Sequence, residues 1–201
     1  MKKICLAVVL SLIVSSTFAG KDHSASDYIL FKGDKDTTFC RIHEMGGSGA
    51  LIGVITYTPE GSDQRLEIKG PDQIAKIISL RCGGFVMDYV PTNPEKPNGR
   101  GTLMYTSNPG KVRYYDDAQI IAKEKKDGER ELFIKEFSAM YYIVRLENGE
   151  TYKTSKDNVY KIILPELKKC KAFNEKYKEP EKVTHYAMIA NAIAVYNKLC
   201  K

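Results

Sequence analysis

The chain contains no tryptophan and only three histidines, and past its first nineteen residues it has no apolar run of membrane-spanning length. Each absence narrows the possibilities. The most apolar stretch of the β-rich part, Ala50 to Tyr57, is broken by Gly53 and ends within strand length, so nothing after the leader reads as a transmembrane helix. His23, His43 and His185 are spread over the whole chain. The one close cysteine and histidine pair, Cys40-Arg41-Ile42-His43, lacks the further ligands of a zinc site. Its odd spacing also places thiol and imidazole on opposite faces of a strand, which disfavours a nucleophilic couple. No serine stands in a Gly-x-Ser-x-Gly setting. Gly46-Gly47-Ser48-Gly49 is followed by strand-like Ala50-Leu51-Ile52 and reads as a hairpin tip, not a phosphate loop. No catalytic residue, metal or cofactor is assigned.

What is present begins with Lys2 and Lys3, the apolar run Ile4 to Val14, and a small-residue ending at Thr17-Phe18-Ala19, which together read as a secretory leader cleaved after Ala19. Cys5 lies too early in it to become a lipid-anchored first residue. The formal charge of the chain is +6, and losing Lys2 and Lys3 with no acidic residue leaves +4. Its lysines lie among carboxylates, as in Lys123-Glu124-Lys125-Lys126-Asp127-Gly128-Glu129-Arg130-Glu131, which excludes the basic stripe of a nucleic-acid partner. Four cysteines follow the leader, Cys40, Cys82, Cys170 and Cys200. Four cysteines permit three pairings, and the preferred one joins Cys170 to Cys200 and Cys40 to Cys82, each within one half of the chain. Buried thiols are the alternative.

From Asp27 to Thr154, short apolar or alternating runs separated by turn residues predict an antiparallel β structure, either a meander or small barrel-like sheets. Asp127-Gly128 and Asn148-Gly149 are hairpin turns. Met140, Tyr142, Val144 and Leu146 share the face expected to meet the core. Residues 20–92 form a first β module, the proline-rich 93–100 a loop at a candidate subdomain boundary, and 101–154 a second meander. Pro71 opens a short helix on which Ile74, Ile77 and Ile78 fall at helical spacing. After Thr154 the period lengthens to about 3.6, with Thr154 as cap and Pro165 as a break, and a second helix begins near Pro180 with Val183, Tyr186, Ala187, Ala190, Ile193 and Ala194 on its apolar stripe. Residues 155–201 thus form a helical hairpin, and the fold class is α+β. Lys69-Gly70-Pro71-Asp72-Gln73-Ile74 and Lys153-Thr154-Ser155-Lys156-Asp157-Asn158 share a pattern that suggests a strand-to-helix unit used twice.

Tyr28-Ile29-Leu30-Phe31-Lys32-Gly33-Asp34, Lys69-Gly70-Pro71-Asp72-Gln73-Ile74, Lys169-Cys170 and Tyr196-Asn197-Lys198-Leu199-Cys200 together resemble the pattern of secreted Bacteroidetes-type proteins of unknown function, with Gly70 where that pattern has serine. The resemblance covers most of the chain after the leader. It implies an exported location and a β module followed by a cysteine-bearing helical tail, and it transfers no catalytic residue.

Thirteen tyrosines supply most of the large aromatic surface. Tyr114-Tyr115 and Tyr141-Tyr142 put one ring on each face of a strand, so Tyr114, Tyr115 and Tyr141 are candidate binding residues for a sugar ring or a partner protein. Asp116 with Asp117, or Glu129 with Glu131, could supply an acid and base pair, and a pocket that collects Asp116 or Asp117 with other carboxylates or His43 would favour an enzyme. The expected function is a non-enzymatic exported binding or envelope-associated protein, periplasmic or secreted, whose partner is an unknown protein or envelope polymer. A hydrolase acting on an envelope or extracellular polymer and a secreted inhibitor or effector are the alternatives.

Overall fold

The computed structural model describes residues 27–47, 52–96, 100–116, 118–136, 142–180 and 184–201. The expected leader and the sequence-read residues Asp117, Met140, Tyr141 and Val183 lie outside the described residues. Short strands alternate from the start: β1 (Asp27–Phe31), β2 (Thr38–Gly46), β3 (Val54–Pro59) and β4 (Leu66–Lys69). A single helical turn, α1 (Pro71–Ile74), leads into β5 (Ile77–Cys82), β6 (Phe85–Pro91) and β7 (Gly101–Tyr105). The rest of the β body is β8 (Arg113–Tyr115), β9 (Ala118–Glu124), β10 (Arg130–Glu136), β11 (Ile143–Arg145) and β12 (Thr151–Lys153).

The large sheet runs β10-β9-β2-β1-β5-β6-β7, with β3 and β4 branching from β2. Every ladder in it is antiparallel. It curls on itself, since Gln119 Nε2 on β9 donates to Thr102 Oγ1 on β7 at 2.9 Å and the Ile120 N–H reaches Met87 Sδ on β6 at 3.5 Å. The enclosed core holds Ile29, Ile42, Ile55, Ile77, Leu80 and Met87, all fully buried. Each such side chain contributes about 1.5–3 kcal/mol by leaving water.

β5 corrects the helical reading of Ile77 and Ile78. The helix ends at Ile74 after one turn, and Ile77 continues as a strand between β1 and β6 because its buried side chain belongs to the sheet core. The proline-rich segment likewise joins two paired strands of one sheet, with Pro91 opposite Gly101, instead of separating two modules. Both expected tight turns form, between β9 and β10 and between β11 and β12, with Gly128 at φ 81° and Gly149 at φ 88°. The two similar segments both turn from strand into helix, at β4 to α1 and after β12.

A second sheet, β12-β11-β8, lies between the large sheet and the C-terminal helices. Its two faces explain why consecutive residues on β11 are both fully buried. Ile143 and Tyr115 meet Val90 and Met104 of the large sheet, whereas Val144 and Tyr114 face Val159, Ile163, Ile189 and Ile193 of the helices.

The helical region is α2 (Lys156–Asn158), a π-helical turn at Val159–Ile163, α3 (Leu164–Lys168), α4 (Lys171–Lys176) and α5 (His185–Leu199). Ser155 caps α2 by accepting from the Asn158 N–H, while Thr154, expected as the cap, is buried and donates to the Tyr142 carbonyl. The π turn sits where Pro165 has no N–H to offer the preceding turn, and Leu164 N–H bonds Val159 O instead. Thr184 caps α5 by accepting from the Ala187 N–H. The buried stripe of α5 is Met188, Ile189, Ala192, Ile193 and Tyr196, rotated from the expected one, and Tyr186 lies outside it. Asn197 clamps both backbone groups of Val112, accepting from its N–H at 3.1 Å and donating to its carbonyl at 2.7 Å. Cys170 and Cys200, 30 residues apart, are disulfide-bonded.

Cys40 and Cys82 are buried free thiols, which corrects their expected pairing. Cys40 stands opposite Asp27 in the β1–β2 ladder, and the Tyr28↔Arg81 register brings Cys82 to the other flank of the same Asp27. β1 therefore separates them by two strand spacings, about 9.5 Å, beyond the ~7 Å Cα limit of a disulfide.

Candidate functional site

The regular in-and-out alternation of β2 breaks at His43. Ile42 opposes Tyr57 and Glu44 opposes Thr56, leaving His43 as the extra residue of a β-bulge. Ile42 and Met45 stay in the core, while His43 and Glu44, neighbours in sequence, are both kept out of it. The bulge aims the imidazole at β3 on one side and β9 on the other.

There His43 Nδ1 meets Glu124 Oε1 at 2.9 Å, and Nε2 meets Thr58 Oγ1 at 2.9 Å. A carboxylate only accepts, so Nδ1 carries the hydrogen, and in the neutral ring Nε2 accepts from the Thr58 hydroxyl. Arg65 donates to the other carboxylate oxygen, Glu124 Oε2, at 2.7 Å and to Thr56 Oγ1 at 3.0 Å, with Glu44 3.7 Å away. The hydrogen bonds from His43, then Arg65, hold the Glu124 carboxyl below the usual glutamate range.

This carboxylate–imidazole–hydroxyl chain has the connectivity of an acyl-transfer relay but not its surroundings. Pro59, the residue after Thr58, has no N–H, and the Glu60 N–H already donates to Phe39 O at 2.9 Å. The backbone that follows the hydroxyl thus offers neither of these amides to an oxyanion. What the cluster does is fix the charges between two open grooves. One, of about 400 Å³, runs past His43, Thr58 and the Pro59–Ser62 turn. The other, of about 440 Å³, has an apolar floor of Met45, Val54, Ile121 and Phe133 and a rim carrying Glu44, Glu124, Lys123 and Lys135. Phe133 is 39% exposed, and Lys123 Nζ lies 5.4 Å from the centroid of its ring.

The expected binding tyrosines are elsewhere. Tyr114 and Tyr115 are 3% and 0% exposed, because the small sheet is covered on both faces. Tyr114 stacks on Tyr142 with centroids 6.0 Å apart. The Tyr115 hydroxyl donates to Asp88, a fully buried carboxylate that also pairs with Arg113 and Arg145. Burial first, and then Asp116 beside Tyr114 and Asp88 beside Tyr115, push both phenols up from their ordinary range. Asp116 follows β8, its partner Asp117 lies outside the described residues, and His43 joins Glu124.

Glu124, Arg65 and Thr58 carry the site and no motif in the sequence marks them. One signal was readable: two consecutive polar residues, His43-Glu44, inside an otherwise alternating strand. Among the described residues no group of three or more metal-ligating side chains gathers, and no helix is long and apolar enough to cross a membrane. No protein-family model, no curated protein and no solved structure matches this chain.

Proposed function

We propose that the chain is an exported, non-enzymatic binding protein whose ligand, a segment of an envelope protein, lies in the groove between β2, β9 and β10. The observation that carries this reading is the groove itself, an apolar floor with a half-exposed phenylalanine and fixed charges of both signs along its rim. An amphipathic peptide matches that lining, since its apolar side chains fill the floor and its charged ones meet Lys123, Lys135, Glu44 or Glu124. A saccharide is less well served, because the rings expected to stack on sugars, Tyr114 and Tyr115, are buried. The leader supports delivery to the envelope, and the resemblance to secreted Bacteroidetes-type proteins agrees with it.

Selection of displayed random peptides against the chain tests the reading. The expected result is enrichment of apolar sequences flanked by charges, with binding lost in Phe133→Ser and kept in Tyr160→Ser on the helical region. Enrichment indifferent to Phe133, or hydrolysis of an envelope polymer that His43→Ala abolishes, contradicts it.

A further inference from the structure

β10 is the last strand on its side of the large sheet, and among the described residues it pairs with β9 alone. Its outer edge can be worked out from the turn that precedes it. The Lys125 N–H donates to Glu129 O, so hydrogen-bonded pairs follow at Lys123/Glu131, Ile121/Phe133 and Gln119/Lys135. The N–H and C=O groups of Leu132 and Ile134 consequently point away from β9. Phe133 is 39% and Ile134 49% exposed. Natural edges are guarded by proline, bulges, a covering element or charged side chains, and of these β10 has only the charges, Arg130, Glu131, Lys135 and Glu136. The β9–β10 ladder is regular from Arg130 to Glu136, holds no proline, and places Leu-Phe-Ile at its centre.

The strand is also complementary to itself. Laid antiparallel on a second copy with Phe133 opposite Phe133, it sets Leu132 opposite Ile134 and Glu131 opposite Lys135, each twice by symmetry. Leu132 and Ile134 then form the hydrogen-bonded pairs, using the groups that already face outward. Phe133 and the Glu131 and Lys135 pairs fall at the close, non-hydrogen-bonded positions, where opposite charges gain most. One face receives two apolar pairs and the other two ion pairs around an aromatic contact.

We propose that two copies of the chain associate through β10, joining their large sheets into one continuous sheet across a two-fold axis at Phe133. Phe133 and Lys135 also line the groove described above, so the axis brings two grooves side by side and the dimer offers an extended partner two adjoining sites. The association itself does not depend on what the groove binds.

Sedimentation velocity of the exported chain over a dilution series tests it without added ligand. The expected result is a concentration-dependent dimer that weakens about tenfold or more in Glu131→Lys and in Lys135→Glu, because each variant sets like charges opposite one another at two symmetric positions. An equimolar mixture of the two variants restores dimerisation, as does the double exchange in one chain, since both arrangements make opposite charges meet again. A chain that stays monomeric at every concentration, or a dimer indifferent to either variant, or variants that do not recover on mixing, overturns the proposal. A monomer leaves the peptide-binding reading standing, and a dimer does not by itself establish it.

Discussion

Asp88 is fully buried between the two sheets, yet it carries a charge shared with Arg113, Arg145 and the Tyr115 hydroxyl. Removing one partner of such a group strands the others, which is costlier than the group's net contribution. Asp88→Asn should lower stability by about 3–5 kcal/mol in urea unfolding, with Tyr115→Phe costing about 1–3 kcal/mol. The same physics governs Cys40 and Cys82. Burial, and then the neighbouring Asp27 charge, pushes both thiols up to about 12, so they stay protonated and unreactive in mildly alkaline buffer. A thiol reagent at pH 8 should leave Cys40 and Cys82 unlabelled in the native chain and label both after unfolding without reductant. Fast native labelling would contradict the placement of β1 between them. At this scale the sequence was a partial guide. Cys170 and Cys200 could be paired from their positions on two helical segments, whereas the fate of Cys40 and Cys82 depended on which strand came between them, and order within a sheet leaves no local mark.

Elements hold together here through a few joints that can be tested singly. The disulfide closes a 30-residue separation around α4 and α5. Loop entropy assigns it about 3 kcal/mol. Cys170→Ser with Cys200→Ser should therefore lower the unfolding midpoint, and reduction of the native chain should give the same shift. A second joint is the β5–β6 turn, where Gly83 has φ +58° and a Cβ would lie 2.0 Å from Leu132 Cδ1 of β10. Gly83→Ala should loosen β10 from the turn, read as faster amide exchange in β10 than elsewhere in the large sheet. The third joint is the His43 bulge. Because the Glu124 carboxyl titrates below its ordinary value of 4.5, its pairing with His43 and Arg65 favours the folded state above that value and is lost as pH falls through the lowered one. Wild type should exceed Glu124→Gln in stability near neutrality, and the difference should vanish in acid. A difference that persists below the carboxylate range would show that Glu124 acts through packing alone. Hairpin turns with Asp-Gly and Asn-Gly were legible because a positive φ is encoded locally, and so were most strands. β5 was missed because Ile74, Ile77 and Ile78 fall at helical spacing, and only the neighbours β1 and β6 override it.

The whole molecule is a curled large sheet, a small sheet laid against it, and a helical layer on the far side. This layering accounts for what the sequence concealed about the site. Tyrosines that alternate on one strand look half-exposed, but a strand covered on both faces buries both rings, as at Tyr114 and Tyr115. The open surface falls instead along β2, β9 and β10, and its chemistry comes from residues far apart in the chain, Glu44, Glu124 and Lys135 among them. The short apolar runs of the sequence agree with the absence, among the described residues, of a helix long and apolar enough to cross a membrane. They could not locate a groove that exists only after the sheet has curled.

The most direct test of the binding role places a photo-crosslinking residue at Lys123, on the groove rim, in the chain as exported by living cells. A control crosslinker at Lys176, at the end of α4, faces solvent on the helical region. The account predicts a discrete protein adduct from Lys123 in the envelope fraction, absent from Lys176 and reduced by Phe133→Ser. Equal labelling from both positions, or a chain retained in the cytoplasm with Met1 in place, would contradict it.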